Sequence, residues 1–363
     1  MKHHVRALAF CLAFCLMLFG CSAGPAAPSP TPQEPMEEGA LPVRSEEEPA
    51  PLPEEEEDAP AEEEEEAKTV VGFVVPDDGS LLMRCAMHGF LRTAESLSYP
   101  ARLYAFSSGD GSAEVEQALA DGCGALLVWA DTPALAAAAK AASEQGVPVV
   151  VPFIGVDPTA AGAVSVLAAE EMDYCSEAVR IMCETAISRG NTQGVIVVAR
   201  EAGAHQEIVD AVQNALNTDY PGYTLQDMPL LATVEETTAQ AKEYELAHPE
   251  ICGVLALSPT SATAWYDGEI QAEKELEDEK RNPVIMALDY TEENISLVSG
   301  GRIYCLIARP YYHCAAQALI VLDSYLGGAT VQPNIRVNAP IIRNKDLEKY
   351  ASIVDETKEW FGM

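Results

Sequence analysis

The side chains that most often perform covalent chemistry occur in this chain without the spacing such chemistry requires. There is no Gly-x-Ser-x-Gly elbow, no His-Glu-x-x-His helix and no phosphate-binding P-loop. His88, His205, His248 and His313 are scattered, with no metal-ligand spacing. Glu170 and Glu171 are adjacent, which turns their carboxylates apart on a helix or a strand, and they read as solvated chain. No catalytic residue, cofactor or metal is expected. What the sequence offers instead is hydrogen-bonding chemistry on a loop. Asp77, Asp78, Gly79 and Ser80 follow the apolar run Val70–Val75. Two carboxylates and a hydroxyl at the end of a buried strand can hold a polar ligand without reacting with it. The same residue types also serve as turn and cap residues.

The loop must be positioned by its neighbours. A continuous apolar run predicts a strand buried on both faces of a parallel sheet, and Leu82, Ala86 and Phe90 then recur at helical spacing. The alternation continues with strands near 102–106, 125–129 and 148–152, separated by helices. Ser112 is the expected N-cap of one helix, and Pro133 stands in the first turn of the next. After Leu167 the pattern restarts. A helix from Asp173 to Arg189 leads to strands at 194–199, 224–230, 252–257, 283–288 and 302–307, with helices at 206–217, 235–247, 260–277 and 291–299 between them. A last helix runs from Tyr311 to Leu326 and stops at Gly327-Gly328. About 295 residues exceed one comfortable core, so two α/β lobes are expected.

Ahead of these elements the composition changes twice. Residues 1–20 have a basic start and an apolar run from Ala7 to Phe19, too short to span a bilayer and suited to a signal peptide. The run ends at Gly20-Cys21, which resembles a bacterial lipobox, so Cys21 is the expected lipidation site. Residues 21–68 are rich in Pro, Ala and Glu, with acidic blocks at Glu54–Asp58 and Glu62–Glu66. Such a segment buries too little to offset its ordering entropy, and it is expected to be a disordered, self-repelling stalk. The chain from Thr69 on holds 41 acidic and 18 basic residues, which argues against nucleic acid. Of ten cysteines, seven lie beyond the leader and Cys21. Seven is odd, no Cys-x-x-Cys occurs and most sit in apolar runs, so they read as small buried hydrophobes.

Several local patterns recur in a known order. They are Val71-Gly72-Phe73-Val74-Val75 with Gly89 fourteen residues on, Gly124-Ala125-Leu126-Leu127-Val128, Gly146-Val147-Pro148-Val149-Val150, His248-Pro249-Glu250-Ile251-Cys252-Gly253-Val254, and Ala287-Leu288-Asp289. Over 69–331 the chain resembles the type I periplasmic binding proteins, most closely the ribose/galactose-type solute-binding subunits of bacterial ABC importers. The resemblance implies two doubly wound parallel-sheet lobes joined by a three-crossing hinge, with closure on a ligand. The N-terminal lobe would hold 69–170 and 309–333, and the C-terminal lobe 171–308 and 334–363. The crossings would fall near Leu167–Glu171, Ala308–Pro310 and Val331–Arg336.

Carried onto this chain, the family's ligand positions fall on Ser80, on Leu82 and Met83 where ribose-type proteins have stacking aromatics, on Phe153 and Ile154, near Ser258, and on Asp289 and Arg309. Most of the ribose chemistry is replaced. Trp129, Phe153, Tyr290 and Tyr311 offer stacking faces, and Asp78, Asp131, Asp289, Arg200 and Arg309 offer charged hydrogen bonds. Each also has a plain reading as a turn, cap or core residue. The resemblance implies a lipid-anchored protein on the extracytoplasmic face of the cell membrane. It would capture a small polar ligand, sugar or sugar-like, for the permease of an ABC importer, and it would not be an enzyme. Two alternatives are a lipoprotein that reports a ligand to a membrane receptor kinase, and a degenerate binding fold used as a surface interaction module.

Overall fold

The computed structural model describes residues 68–152, 161–168, 171–276 and 282–363. The expected signal peptide, lipidation site Cys21 and most of the stalk lie outside these residues, as do Phe153 and Ile154.

Two six-stranded sheets organise the described chain. In the first, β1 (Val71–Pro76), β2 (Ala101–Phe106), β3 (Ala125–Val128), β4 (Val149–Val151) and β5 (Ser165–Ala168) are joined by α1 (Leu81–Ser96), α2 (Ser112–Ala120) and α3 (Pro133–Glu144). The strand order is β11-β5-β4-β3-β1-β2, parallel throughout, where β11 is Asn334–Arg336. The second sheet begins after α4 (Glu171–Ser188). It contains β6 (Gly194–Arg200), β7 (Tyr223–Pro229), β8 (Ile251–Ala256), β9 (Val284–Leu288) and β10 (Cys305–Ile307). The connecting helices are α5 (Gln206–Asp219), α6 (Val234–Ala247), α7 (Pro259–Glu275) and α8 (Glu292–Ser299). Its order is β12-β10-β9-β8-β6-β7, and only the short β12 (Ile341–Ile342) runs antiparallel. The fold is α/β with two doubly wound lobes, as the alternation of apolar runs and helical spacing requires.

Each sheet is covered on both faces, and the period of two sorts the side chains. Val71, Phe73 and Val75 of β1 join a core under α1 and α9 (Tyr311–Leu326), while Val74 joins the opposite core under α2 and α3. In the second lobe Ile196 and Val198 face one way and Val197 and Ala199 the other. At Gly89 a side chain would collide with the Tyr312 backbone carbonyl, so the close approach of α1 and α9 needs glycine there.

Three segments cross between the sheets. The first leaves β5 for α4, and the second is Ala308–Pro310 between β10 and α9. The third differs from expectation. Asn334–Arg336 pairs with β5 as an edge strand of the first sheet, so the crossing falls at Val337–Pro340 and not at Val331–Arg336. The lobe boundary expected at 333/334 moves with it.

Three other details depart from the sequence reading. Gly111, at φ +76°, is the N-cap of α2, and Ser112 is its first residue, with its N–H donated to Asp110. The strand expected at 302–307 begins only at Cys305, because Arg302 N–H is tied back to Leu297 in the turn that closes α8. A C-terminal helix, α10 (Leu347–Phe361), follows β12. It packs Tyr350, Ile353 and Val354 into the second lobe's core together with Leu82 and Cys85 of α1, and buried Thr357 meets His88 Nδ1 at 2.9 Å. The seven cysteines of the described chain are buried free thiols.

Candidate ligand site

Loops that follow parallel strands collect at one edge of each sheet. In this chain the second crossing joins the two edges. Asp289 follows β9 and has φ +70°, a conformation a non-glycine residue keeps only when its surroundings hold it. The hold is visible. Asp289 N–H donates to Ile307 at 2.8 Å, and the buried Asn294 amide donates to the Leu288 and Asp289 carbonyls at 2.8 and 3.0 Å. The Asp289 carboxylate is thereby aimed at the crossing.

There it meets Arg309 in a two-pronged pair, Nε to Oδ1 at 2.8 Å and Nη2 to Oδ2 at 2.5 Å. Both side chains are largely buried, at 16% and 8% exposure. Burial works against the Arg309 charge, but the Asp289 carboxylate beside it outweighs that loss and holds the guanidinium firmly protonated. Tyr174 of α4 also acts electrostatically on Arg309. The Arg309 guanidinium lies 5.4 Å from the centre of the Tyr311 ring. Tyr311 in turn stacks on Trp129, with centroids 5.7 Å apart and planes at 12°. Trp129 follows β3, and its N–H is fixed by the Val74 carbonyl at 2.9 Å. A continuous ladder of Trp129, Tyr311, Arg309 and Asp289 thus runs from the edge of the first sheet, through the crossing, to the edge of the second. Burial pushes the Tyr311 phenol up to about 12, with Arg309 opposing and Asp289 and Asp78 adding to the rise, so Asp78 is near enough to act on this ladder.

The other sequence-derived residues fall into two groups. On the first sheet's edge, Ser80 caps α1 by accepting Met83 N–H at 3.2 Å, and Asp78 accepts Ser80 N–H at 2.8 Å. Asp77 accepts Gly79 N–H and stands 3.8 Å from Arg84. Their cap and turn roles are therefore real. Asp131, two residues past Trp129, is exposed, yet lost hydration raises its carboxyl above the ordinary range.

On the second sheet's edge, Arg200 is buried and spent. It grips Asp227 with Nε at 2.9 Å and Nη2 at 2.6 Å, donates to the Gln206 side chain at 2.9 Å, and bonds the Ala204 carbonyl. Ser258 is likewise committed, exchanging cap hydrogen bonds with Ser261 at the start of α7. Both stand at the carboxyl edge, but as parts of the scaffold. Leu82 and Met83 are core residues, Tyr290 is fully buried, and Trp129, 3% exposed, lies in the core behind Tyr311, so none of the four supplies a ligand face. Asn294 and Tyr174 had no distinguishing signal in the sequence, since their roles arise only when α8 and α4 dock.

The arrangement can bind but has no reactive constellation among the described residues. Matches to known proteins agree. The model of a family described as "periplasmic binding protein domain" matches residues 71–330. No curated protein matches. Among solved structures, the sugar-binding protein of a sugar ABC transporter from Bacillus halodurans superposes with a TM-score of 0.63 at 17% identity, covering 77% of this chain and 99% of that one. An arabinose-binding protein from Geobacillus stearothermophilus gives 0.60 at 18% identity over 78% and 99%. A solute-binding protein of an ABC transporter from Actinobacillus succinogenes 130z with bound D-allose gives 0.60 at 14% identity over 78% and 100%. These likenesses establish the fold, and the match over 71–330 establishes the kinship: the chain belongs to the periplasmic binding protein domain family, whose members bind solutes and are not enzymes.

Proposed function

We propose that this protein is the solute-binding component of an ABC importer, anchored by lipid at Cys21 on the extracytoplasmic face and held off the membrane by its acidic stalk. It captures a small polar ligand of sugar size between the two lobes and presents it to a membrane permease. The observation that carries the reading is the Trp129–Tyr311–Arg309–Asp289 ladder. It places the partly open Tyr311 ring, backed by buried Trp129, and a charged hydrogen-bonding pair where the two carboxyl edges meet, which are the elements a polar ring-shaped ligand needs. Structural neighbours that include a sugar-transporter binding protein, an arabinose-binding protein and a solute-binding protein holding D-allose support the ligand class. A ligand that touches both lobes only when they are closed shifts the population toward closure.

Thermal melting of the protein against sugars, nucleosides, amino acids and polyamines tests this. A ligand at about a hundred times its dissociation constant adds roughly 2.7 kcal/mol of stability, a plain rise in Tm. A saturable rise with at least one small polar compound is expected. A flat panel for a cooperatively melting protein contradicts capture.

The anchor has its own check. Mass spectrometry of the membrane-extracted protein should find an acylated N-terminal Cys21, and two or more acyl chains suffice for stable attachment. An unmodified N-terminus beyond Cys21 would remove the anchor from the account.

A further inference from the structure

The amino edge of the second sheet, opposite Asp289 and Arg309, is hollow. Asn282 and Pro283 precede β9, Gly301–Tyr304 precede β10, and Arg189 lies ahead of β6. A cavity of about 320 Å³ opens among them, with Glu269 of α7 in its wall. We propose that this cavity is a second binding site, which takes a small free α-amino acid with its ammonium group at Glu269 and its carboxylate at Arg189 and Arg302.

Glu269 is the residue that points to a ligand. Ala262, Trp265, Gly268, Glu269 and Ala272 share the buried face of α7, so the glutamate occupies a stripe where the spacing calls for an apolar side chain. It is 9% exposed, and it has no hydrogen bond or ion pair with any described residue. A buried carboxylate without a partner is a standing cost. Burial and then Glu273 push its carboxyl up to about 7, against the opposing pull of Arg189. A group kept at that cost, and opening on a cavity, is placed to receive a charge from outside.

The cations stand at the mouth. Arg189 donates Nη1 to the Asn282 carbonyl at 2.5 Å, and Arg302 lies 5.9 Å from the centre of the Tyr266 ring. Both are exposed, and neither forms an ion pair with a described carboxylate. Arg343 lies 4.6 Å from the centre of the Tyr304 ring and adds positive charge beside the mouth. Lys242, whose backbone lies against Gly268, is already paired with Glu275. A simple cation would have to pass these arginines, and a simple anion would meet Glu269 inside. A zwitterion with its negative end outward satisfies both.

The remaining walls set the size and the dryness of the site. Val284, Ile285, Val298 and Ile303 are buried and line the cavity, so an ammonium group that reaches Glu269 leaves water behind. The volume falls at the small end of ligand pockets, which span about 300–1,000 Å³. That suits an amino acid with a short side chain and leaves no room for a peptide.

Calorimetry of the full chain in detergent at pH 7 tests the site with glycine, L-alanine, L-serine, L-threonine and L-valine, each beside its N-acetyl and amide forms. At least one free amino acid is expected to bind saturably, and its two blocked forms are not. Binding should release about half a proton, because Glu269, at about 7, is driven to its ionised form. E269Q should weaken the binding about tenfold or more and abolish the proton release, and R302A should also weaken it. Because E269Q removes a buried charge, the variant stays folded and the loss is not one of structure. A binder indifferent to E269Q sits elsewhere and overturns the site. An N-acetyl form that binds equally well overturns the ammonium contact. Binding that E269Q weakens but neither R189A nor R302A affects overturns the zwitterion. Failure of all five to bind, as would follow if Lys280 or Arg281 already answered Glu269, overturns the site and leaves capture between the lobes to its own test.

Discussion

Asp289→Ala is expected to lower stability by about 3–5 kcal/mol, because it leaves the buried Arg309 guanidinium without its counter-charge. The size comes from the uncompensated ion and not from the net worth of the pair. The comparison that shows this is R309M combined with D289L. Removing both charges while keeping apolar volume should cost much less than D289A alone, since a buried pair replaced by packed hydrophobes is often near neutral. Denaturant unfolding of the three variants measures it. Ligand binding should be lost in D289A and in the double variant alike, which separates the pair's role in recognition from its role in stability. A D289A protein as stable as the parent would mean that the Asp289–Arg309 contact is solvated and loose, contrary to its 2.5–2.8 Å geometry.

Glu269→Gln is expected to act in the opposite direction. Glu269 of α7 is 9% exposed, and burial pushes its carboxyl from 4.5 up to about 7, with Glu273 adding to the rise and Arg189 opposing it. A carboxyl whose folded pKa is raised gives its full stability below its unfolded value, near 4.5, and loses it as pH climbs through 7. At pH 8 the parent therefore bears a penalty of about 3 kcal/mol, at 1.36 kcal/mol per unit. Glutamine keeps the shape and abolishes the charge. E269Q should exceed the parent by about 2–3 kcal/mol at pH 8 and match it below pH 4.5. On the acid side, burial lowers His88 and His313, both under α10. Groups depressed in this way contribute above their unfolded value and lose that contribution as pH falls through the folded one. Melting curves across pH 4–8 test both signs, and an E269Q curve parallel to the parent at every pH would show that Glu269 is ionised and solvated.

Much of the fold was legible because the parallel sheet writes itself into the sequence. Runs such as Val71–Val75 and Ala125–Val128, buried on both faces, have few other uses, and Gly122 and Gly146, both at positive φ, follow α2 and α3. The third crossing was misread for a specific reason. Asn334–Arg336 is a three-residue edge strand with two exposed residues and no apolar run, and only its pairing with β5 assigns it to the first lobe. The C-terminal helix is a different case. Leu347, Tyr350, Ile353, Val354 and Thr357 recur at helical spacing, and all are buried. The signal was present but lay beyond the stretch covered by the family likeness.

The site was legible in part. Asp289 and Arg309 were marked by their places after a strand and at a crossing, and the structure joins them. Arg200 and Ser258 had equally good positions. Their partners, Asp227 and Ser261, come from a neighbouring strand and the next helical turn, and no spacing rule announces that a side chain is already taken. Tyr311 gained its place from stacking on Trp129, across 182 positions of sequence.

The central claim is that ligand closes the two lobes, and an inter-lobe distance tests it most directly. β2 and β7 are the strands of the two sheets farthest from the crossings, so Ala113 in the first turn of α2 and Glu235 in the first turn of α6 mark the tips of the jaw. Both are exposed. Spin labels at A113C and E235C can be attached selectively, because burial raises native thiols such as Cys85 to about 11 and Cys183 and Cys314 to about 12. Pulsed dipolar spectroscopy should give a distance that shortens when the compound found by melting is added to saturation, and that does not shorten in D289A. A distance unchanged by saturating ligand would contradict capture by closure.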